Sequence, residues 1–449
     1  MHLQSKISAV IATAFLFSSF TFTSCSKEKK MQPVTLSVLN YLDSSDPNSA
    51  NDVAAIWDHF ESENPDIIIT REDYFGEEFH QKTAEYLANG TLPDVVNMWP
   101  GGRSAELHTT GAIKDLRPFI TESEMTDSYN PAALQNQFAG YLAELPDAIT
   151  YTNVLFVNKK LLEDNGLSIP QSYDDFFKIT SILSDKGIQT ILMDNKQPWV
   201  MQSLLFSLVV GRYGGEDWAQ KIKADELEFT DDWFVTSLSI INELCRRDVI
   251  SQKTLAYEYG ESQNYFVANQ GAFFIGGDWK TATFQTDHAT GQGLISKEAQ
   301  QSDFELISMP PFPNEVIHNS DSGTVGTGWA INSKIPAGSD KEKAAWRLIS
   351  YLEGSYVQTY RLRIGKAFPT LNTLNIEQIA KENDLEPFTI KRASLYQNYP
   401  IMTPVIDNVF PEAVYSVINN QLHLIIEGKT TPKSAAFVIQ NAWKQYQKK

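Results

Sequence analysis

Only two cysteines, Cys25 and Cys245, occur in 449 residues, too few for a disulfide framework or a four-thiolate zinc site. Histidine is also scarce, and its seven positions (2, 59, 80, 108, 288, 318 and 423) never approach HExxH or another close ligand spacing, which argues against a zinc hydrolase. No GxSxG elbow and no GxxxxGK[ST] loop is present, so no motif points to a serine hydrolase or a P-loop nucleotide site. The run Gly323-Thr324-Val325-Gly326-Thr327-Gly328 lacks the Rossmann spacing, and a tight turn or a close backbone approach explains it better. Basic residues are in deficit: 37 Lys and Arg against 55 Asp and Glu give a formal charge of −18. With no basic cluster outside the termini, a phosphate backbone is repelled, and nucleic acid is not expected as a partner. The adjacent pairs Glu77-Glu78, Asp174-Asp175 and Asp231-Asp232 cannot flank one scissile bond, because neighbours on a helix or strand point in different directions. They read as solvated faces, and no catalytic residue, metal or cofactor is expected.

What is present describes a folded body. Apolar residues make up 42% and charged residues 20%, and the length predicts two to four domains or two large lobes. Lys6 precedes an apolar run from Ile7 to Phe22 that ends in Phe22-Thr23-Ser24-Cys25 and gives way to Ser26-Lys27-Glu28-Lys29-Lys30. The run is shorter than the ~20 residues of a spanning helix and has the outline of a signal peptide, residues 1–24. Its end resembles a bacterial lipoprotein lipobox, which implies lipidation of Cys25 (a diacylglyceryl thioether, usually with acylation of the new amino group) and anchoring to the cell membrane. An uncleaved anchor or a plain secretory signal is the alternative, and export is expected in each case. Residues 25–33 are then the lipidated cysteine and a short linker.

Val34, Leu36 and Val38 alternate with polar residues, Asp43-Ser44-Ser45-Asp46-Pro47 breaks the run, and Val53, Ile56, Trp57 and Phe60 fall at helical spacing. This predicts a strand, a loop and an amphipathic helix. Asn64-Pro65 ends the helix, Ile67 to Thr70 form a second strand, Phe79, Thr83, Tyr86 and Leu87 mark a second helix closing at Gly90, and residues 94–98 form a third strand. The βαβαβ rhythm predicts an α/β fold with a parallel sheet, whose ligand crevice lies off the carboxyl ends of its strands. Residues just past those ends are the first site candidates: Tyr41 and Asp43, Tyr74, and Trp99 to Arg103. Asp43 is equally suited to a helix cap or a turn, and Arg103 to a bidentate bond with a ligand or an ion pair. Trp57, Trp346 and Trp443 fall on apolar helical stripes and Trp329 in a strand-like run, so they are read as core, while Trp218 and Trp233 receive no assignment. Cys245, in a stripe with Leu238 and Ile241, reads as a small buried hydrophobe.

Several segments together resemble the family 1 extracellular solute-binding proteins of ABC importers. They are Leu92-Pro93-Asp94-Val95-Val96-Asn97-Met98-Trp99 with Gly111-Ala112-Ile113-Lys114-Asp115-Leu116; Phe156-Val157-Asn158-Lys159-Lys160-Leu161 with Gly166-Leu167-Ser168-Ile169-Pro170; Gly271-Ala272-Phe273-Phe274-Ile275-Gly276-Gly277-Asp278-Trp279; Met309-Pro310-Pro311-Phe312-Pro313; and Gly326-Thr327-Gly328-Trp329-Ala330-Ile331 with the stretch from Lys341 to Leu352. The resemblance implies a two-lobed periplasmic-binding-protein fold of type II, with discontinuous lobes and a ligand cleft between them. By position, residues 34–152 plus 309–358 form the N-terminal lobe and 153–308 plus 359–449 the C-terminal lobe.

The same resemblance implies a monomer that captures a carbohydrate, expected to be an oligosaccharide, by lobe closure and delivers it to the transmembrane subunits of an ABC permease. Sugars present apolar faces edged by hydroxyls, so their sites need flat aromatic surfaces and planar polar groups. Trp99 stands at a crevice position. Trp279 stands where the family commonly places a stacking tryptophan, with Asp278 beside it as a hydroxyl acceptor, and Gln197-Pro198-Trp199 is similar to the aromatic edge of the second lobe. The full candidate set is Tyr41, Asp43, Trp99, Arg103, Gln197, Trp199, Asp278 and Trp279. An extracytoplasmic carbohydrate-active enzyme and a surface adhesin on the same scaffold are the alternatives.

Overall fold

The computed structural model describes residues 32–44, 49–134, 140–286 and 291–448. The expected leader and Cys25 lie outside the described residues. Among the described residues twelve strands follow in chain order: β1 (Val34–Tyr41), β2 (Ile67–Tyr74), β3 (Val95–Met98), β4 (Leu145–Pro146), β5 (Ile149–Tyr151), β6 (Val154–Asn158), β7 (Gln189–Leu192), β8 (Gly271–Gly276), β9 (Phe304–Ile307), β10 (Ser320–Val325), β11 (Gly328–Ile331) and β12 (Ile401–Pro404). They make three sheets, ordered β2-β1-β3-β11-β4, β7-β8-β6-β9 and β12-β10-β5. The first two centre the two lobes of a mixed α/β fold.

In the first sheet β2, β1 and β3 run parallel, as the βαβαβ rhythm requires, through the short helices of residues 49–63 and Glu77–Asn89. The second of these ends at Gly90, whose left-handed φ of 65° lets its N–H turn back onto the last carbonyls. The sheet is not purely parallel: β11 runs antiparallel to both β3 and β4. The chain reaches β11 from the other lobe rather than through a helix on this sheet, so it enters reversed. Leu36, Val38, Val95, Trp57 and Trp329 share the core beneath the sheet with Leu348, and the Trp57 and Trp329 rings meet edge to face at 5.7 Å.

The second lobe has the larger core, built from β6, β7 and β8, the helices Tyr173–Leu183 and Asp232–Arg246, and the tail helices Glu412–Ile426 and Pro432–Tyr446. Trp218 and Trp233, unassigned by pattern, are part of it: Trp218 is fully buried 5.9 Å from the Phe410 ring, and Trp233 packs 6.2 Å from Trp218. Cys245 is buried there, and burial pushes its thiol up to about 12. Trp443 is buried as expected, but Trp346 is only half-buried and donates its indole N–H to Ser123 Oγ at 2.9 Å.

The third sheet joins the lobes. β10 pairs parallel with β12 and antiparallel with β5, so three distant segments meet. The fully buried Arg212 of the second lobe reaches into the crossing, donating to the carbonyls of Met309 (2.8 Å), Pro310 (3.2 Å) and Ser320 (3.2 Å) and pairing with buried Glu315 at 3.5 Å. Met309 and Phe312 pack in the second core, whereas Tyr360 and Leu371 pack on the first. We therefore propose lobe bounds that depart from the expected ones at 309 and 359, because packing in these segments runs past the crossing strands.

Candidate ligand-binding cleft

The first wall grows out of strand register. The parallel pairing Leu39↔Val96 sets the end of β1 level with the end of β3, so Tyr41 and Trp99 emerge side by side with ring centroids 4.7 Å apart. Phe75, past the end of β2, lies 5.1 Å from Tyr41 and is 44% exposed, and Phe79 closes the cluster edge to face at 5.2 Å. Burial pushes the Tyr41 phenol up to about 12. His80, 5.7 Å from Trp99, is pulled down to about 4 by burial and then by repulsion from Arg103, so it is neutral at physiological pH. Asp43 sits in the loop just beyond and acts electrostatically on Tyr41.

The second wall is assembled from three separate segments. Trp279 follows β8, and its indole N–H donates to the Tyr259 hydroxyl at 2.8 Å. Trp199, at the start of a short helix entered through Gln197 and Pro198, lies 5.4 Å from the same Tyr259 ring. Behind the ring, the Lys280 ammonium sits 4.1 Å from the centroid and donates to Gln263 Oε1 at 2.9 Å, a cation–π contact that fixes the tyrosine plane. Burial pulls Lys280 down to about 8 while Asp194 opposes the shift. Asp194 also accepts the N–H groups of Gly260 and Ser262, each at 2.8 Å, and so holds the Tyr259 loop. Gly277 allows the indole to fold back over the backbone: a Cβ there would lie 2.0 Å from the Trp279 ring.

The two walls stand on different lobes, and Tyr41 of the first is near enough to the Tyr259 phenol of the second to act on it electrostatically; Tyr259 keeps 37% of its surface exposed. Beside Tyr41 a hollow of about 130 Å³ opens between Asn40, Asp52, Trp57, Tyr360, Arg361 and Lys366, where Asp52 accepts from the Tyr360 hydroxyl at 3.0 Å and from Lys366.

Two expected ligand contacts are committed elsewhere. Asp278 is 1% exposed and points toward the crossing strands, where it accepts from the Tyr151 N–H at 3.3 Å and from the Tyr396 hydroxyl. Burial raises its pKa, and it serves the joint between the lobes rather than a sugar hydroxyl. Arg103 takes the ion-pair alternative, with Asp407 and Glu77 both at 3.2 Å. Tyr74, the other crevice candidate, packs at the edge of the first-wall cluster. Conversely, Tyr259, Phe75 and Lys280 were not singled out by pattern. Tyr259 lies in Glu258-Tyr259-Gly260-Glu261, where no periodic stripe marks it, and only its proximity to Trp279 reveals its role. Among the described residues no group of three or more His, Cys, Asp or Glu is placed to hold a metal ion.

Two α/β lobes joined by crossing strands, each carrying an aromatic cluster, describe a solute-binding architecture. Residues 44–358 match the family described as bacterial extracellular solute-binding protein. The chain belongs to that family, whose members bind solutes rather than transform them, and the enzyme alternative gives way to this membership. A probable sugar-binding periplasmic protein of Rhizobium meliloti is 23% identical over 235 residues, 52% of this chain and 53% of the relative. The chain thus spans about half the length of the curated relatives it matches. Among solved structures, a chitin oligosaccharide binding protein superposes with a TM-score of 0.79 at 18% identity, covering 93% of this chain and 100% of the other. A structure reported with xylan utilization by the thermophilic bacterium Caldanaerobius polysaccharolyticus gives 0.77 at 16%, covering 91% and 99%. Both share the two-lobed fold.

Proposed function

We propose that this extracellular protein captures an oligosaccharide between its two aromatic walls and presents it, in the closed form, to the transmembrane subunits of an ABC importer. The observation that carries the reading is that each lobe presents an aromatic cluster, Tyr41 with Trp99 on one and Trp199, Tyr259 and Trp279 on the other, with Tyr41 near enough to Tyr259 to act on it electrostatically. Flat apolar rings edged by phenol and indole hydrogen-bonding groups suit the C–H faces and hydroxyl rims of sugar units. A ligand that touches both walls binds the closed form better than the open one and shifts the population by that difference. A micromolar site corresponds to about −8 kcal/mol, within reach of a few such stacked contacts. The named functions of the relatives, sugar binding, chitin oligosaccharide binding and xylan utilization, support the carbohydrate class.

Thermal unfolding of residues 26–449 against xylo-, chito- and maltooligosaccharides tests the reading. A true ligand at 100 times its Kd adds about 2.7 kcal/mol of stability and raises Tm by a few degrees. Silence across all three series, with a response to a charged or phosphorylated control, would discard the carbohydrate assignment. Attachment by lipid at Cys25 is the second part of the proposal: Cys25→Ser should release the protein from the membrane fraction and abolish palmitate labelling.

A further inference from the structure

The loop that begins at Trp99 does more than carry an aromatic ring. It leaves β3 of the first lobe and lands on the segment Asp407–Phe410, whose neighbours Ile406, Val409 and Phe410 belong to the second core. The Ile406 N–H is tied to Ser207 Oγ of the second lobe at 3.1 Å, so this segment moves with that lobe. The landing is backbone on backbone. A Cβ at Gly101 would lie 2.0 Å from the Asn408 carbonyl oxygen, and one at Gly102 would lie 2.2 Å from that of Phe410 and 2.4 Å from that of Asp407. Gly101 also has a left-handed φ of 65°, but Gly102 does not, so at Gly102 the demand for glycine is purely one of space.

Charge closes the same contact. Arg103 Nε meets Asp407 Oδ2 at 3.2 Å with side chains only 15% and 9% exposed, and its guanidinium lies 5.9 Å from the Tyr415 ring of the second lobe. Glu77 of the first lobe holds the other end of the guanidinium at 3.2 Å. On the far side Pro100 packs against Gly326 at the end of the crossing strand β10. The loop is therefore wedged between the joint of the lobes and the second lobe, and its contacts there are all with protein backbone and side chains.

We propose that Trp99–Arg103 is an interlobe latch: the two glycines form its seat, the Arg103–Asp407 pair its clasp, and together they hold the lobes toward closure before any ligand arrives. Because Trp99 opens the loop, the latch also sets the angle at which the first wall meets the cleft. Removing the clasp or filling the seat moves the ligand-free population toward the open form.

Small-angle X-ray scattering of ligand-free residues 26–449 tests this without reference to any sugar, so its outcome is independent of the carbohydrate reading. Arg103→Met, Asp407→Asn and Gly102→Ala should each give a larger radius of gyration and a broader distance distribution than wild type, and Arg103→Lys should restore most of the compaction. Circular dichroism melting of each variant separates opening from unfolding, and the Arg103 and Asp407 variants carry the test should Gly102→Ala fail to fold. Scattering curves of folded Arg103→Met and Asp407→Asn that superpose on wild type would overturn the latch.

Discussion

The indole N–H of Trp279 and the hydroxyl of Tyr259 meet at 2.8 Å, and this bond makes one continuous surface of two rings that are 20 residues apart in the chain. Trp279→Ala removes a ring and the partner of the Tyr259 hydroxyl, so we expect oligosaccharide affinity to fall at least about tenfold, about 1.4 kcal/mol. Tyr259→Phe keeps the ring and loses only the bond, and should cost less. Isothermal titration of both variants checks the order; equal affinities for Trp279→Ala and wild type would remove this wall from the site.

Gly277→Ala tests the same wall from beneath. The new methyl group would occupy space 2.0 to 2.3 Å from three atoms of the Trp279 ring, and a rigid indole can relieve that only by swinging away from Tyr259. The expected result is a shift in tryptophan emission together with weaker binding. An unchanged emission spectrum would show that the ring does not rest over this glycine.

Asp278 predicts the opposite pattern. Asp278→Ala leaves the Tyr151 N–H without its carboxylate partner, although the Tyr396 hydroxyl keeps the Ile149 carbonyl at 2.9 Å. A buried donor left unpaired costs about 1–3 kcal/mol, so urea unfolding should register the change. The folded fraction should retain its oligosaccharide affinity to within a few-fold. A large loss of affinity at unaltered stability would return Asp278 to the cleft.

Stability should also fall with rising pH through two buried glutamates. Glu353 is fully buried at the C-terminus of the helix Asp340–Leu352, and its carboxylate oxygens have no hydrogen-bond partner among the described residues. Burial raises its pKa well above the ordinary value, Asp147 adds to the shift and Arg361 opposes it. Glu144 is raised likewise, by burial and then Asp147. A group that keeps its proton longer in the native state contributes fully below its unfolded pKa of about 4.3, and that contribution is lost as pH rises through the native value. Glu353→Gln is neutral at every pH, so its advantage over wild type in urea unfolding should widen from pH 5 to pH 8. An advantage of the same size at both would exclude ionisation as the cause.

Much of the scaffold is legible in local pattern. Alternation at Val34–Val38 and the helical spacing of Ile56, Trp57 and Phe60 place the first strand and helix, and the ends of β1 and β3 point directly to Tyr41 and Trp99. What escapes pattern is partnership at long range. Arg103 finds Asp407 304 residues away, and Asp278 finds Tyr396 118 residues away, and neither pairing leaves a trace in spacing or composition. Tyr259 escapes for a related reason: an aromatic in an irregular loop acquires meaning only from the residue that binds its hydroxyl. The antiparallel entry of β11 was equally hidden, because strand direction there depends on which lobe the chain has just left.

The small sheet of β5, β10 and β12 collects residues 149–151, 320–325 and 401–404, and the second core awaits the helix Pro432–Tyr446. A ribosome therefore has to pass Leu371 before the first half has all its parts, and to release nearly the whole polypeptide before the second does. Such a chain cannot mature lobe by lobe as it emerges: its packing is completed only near the end of synthesis.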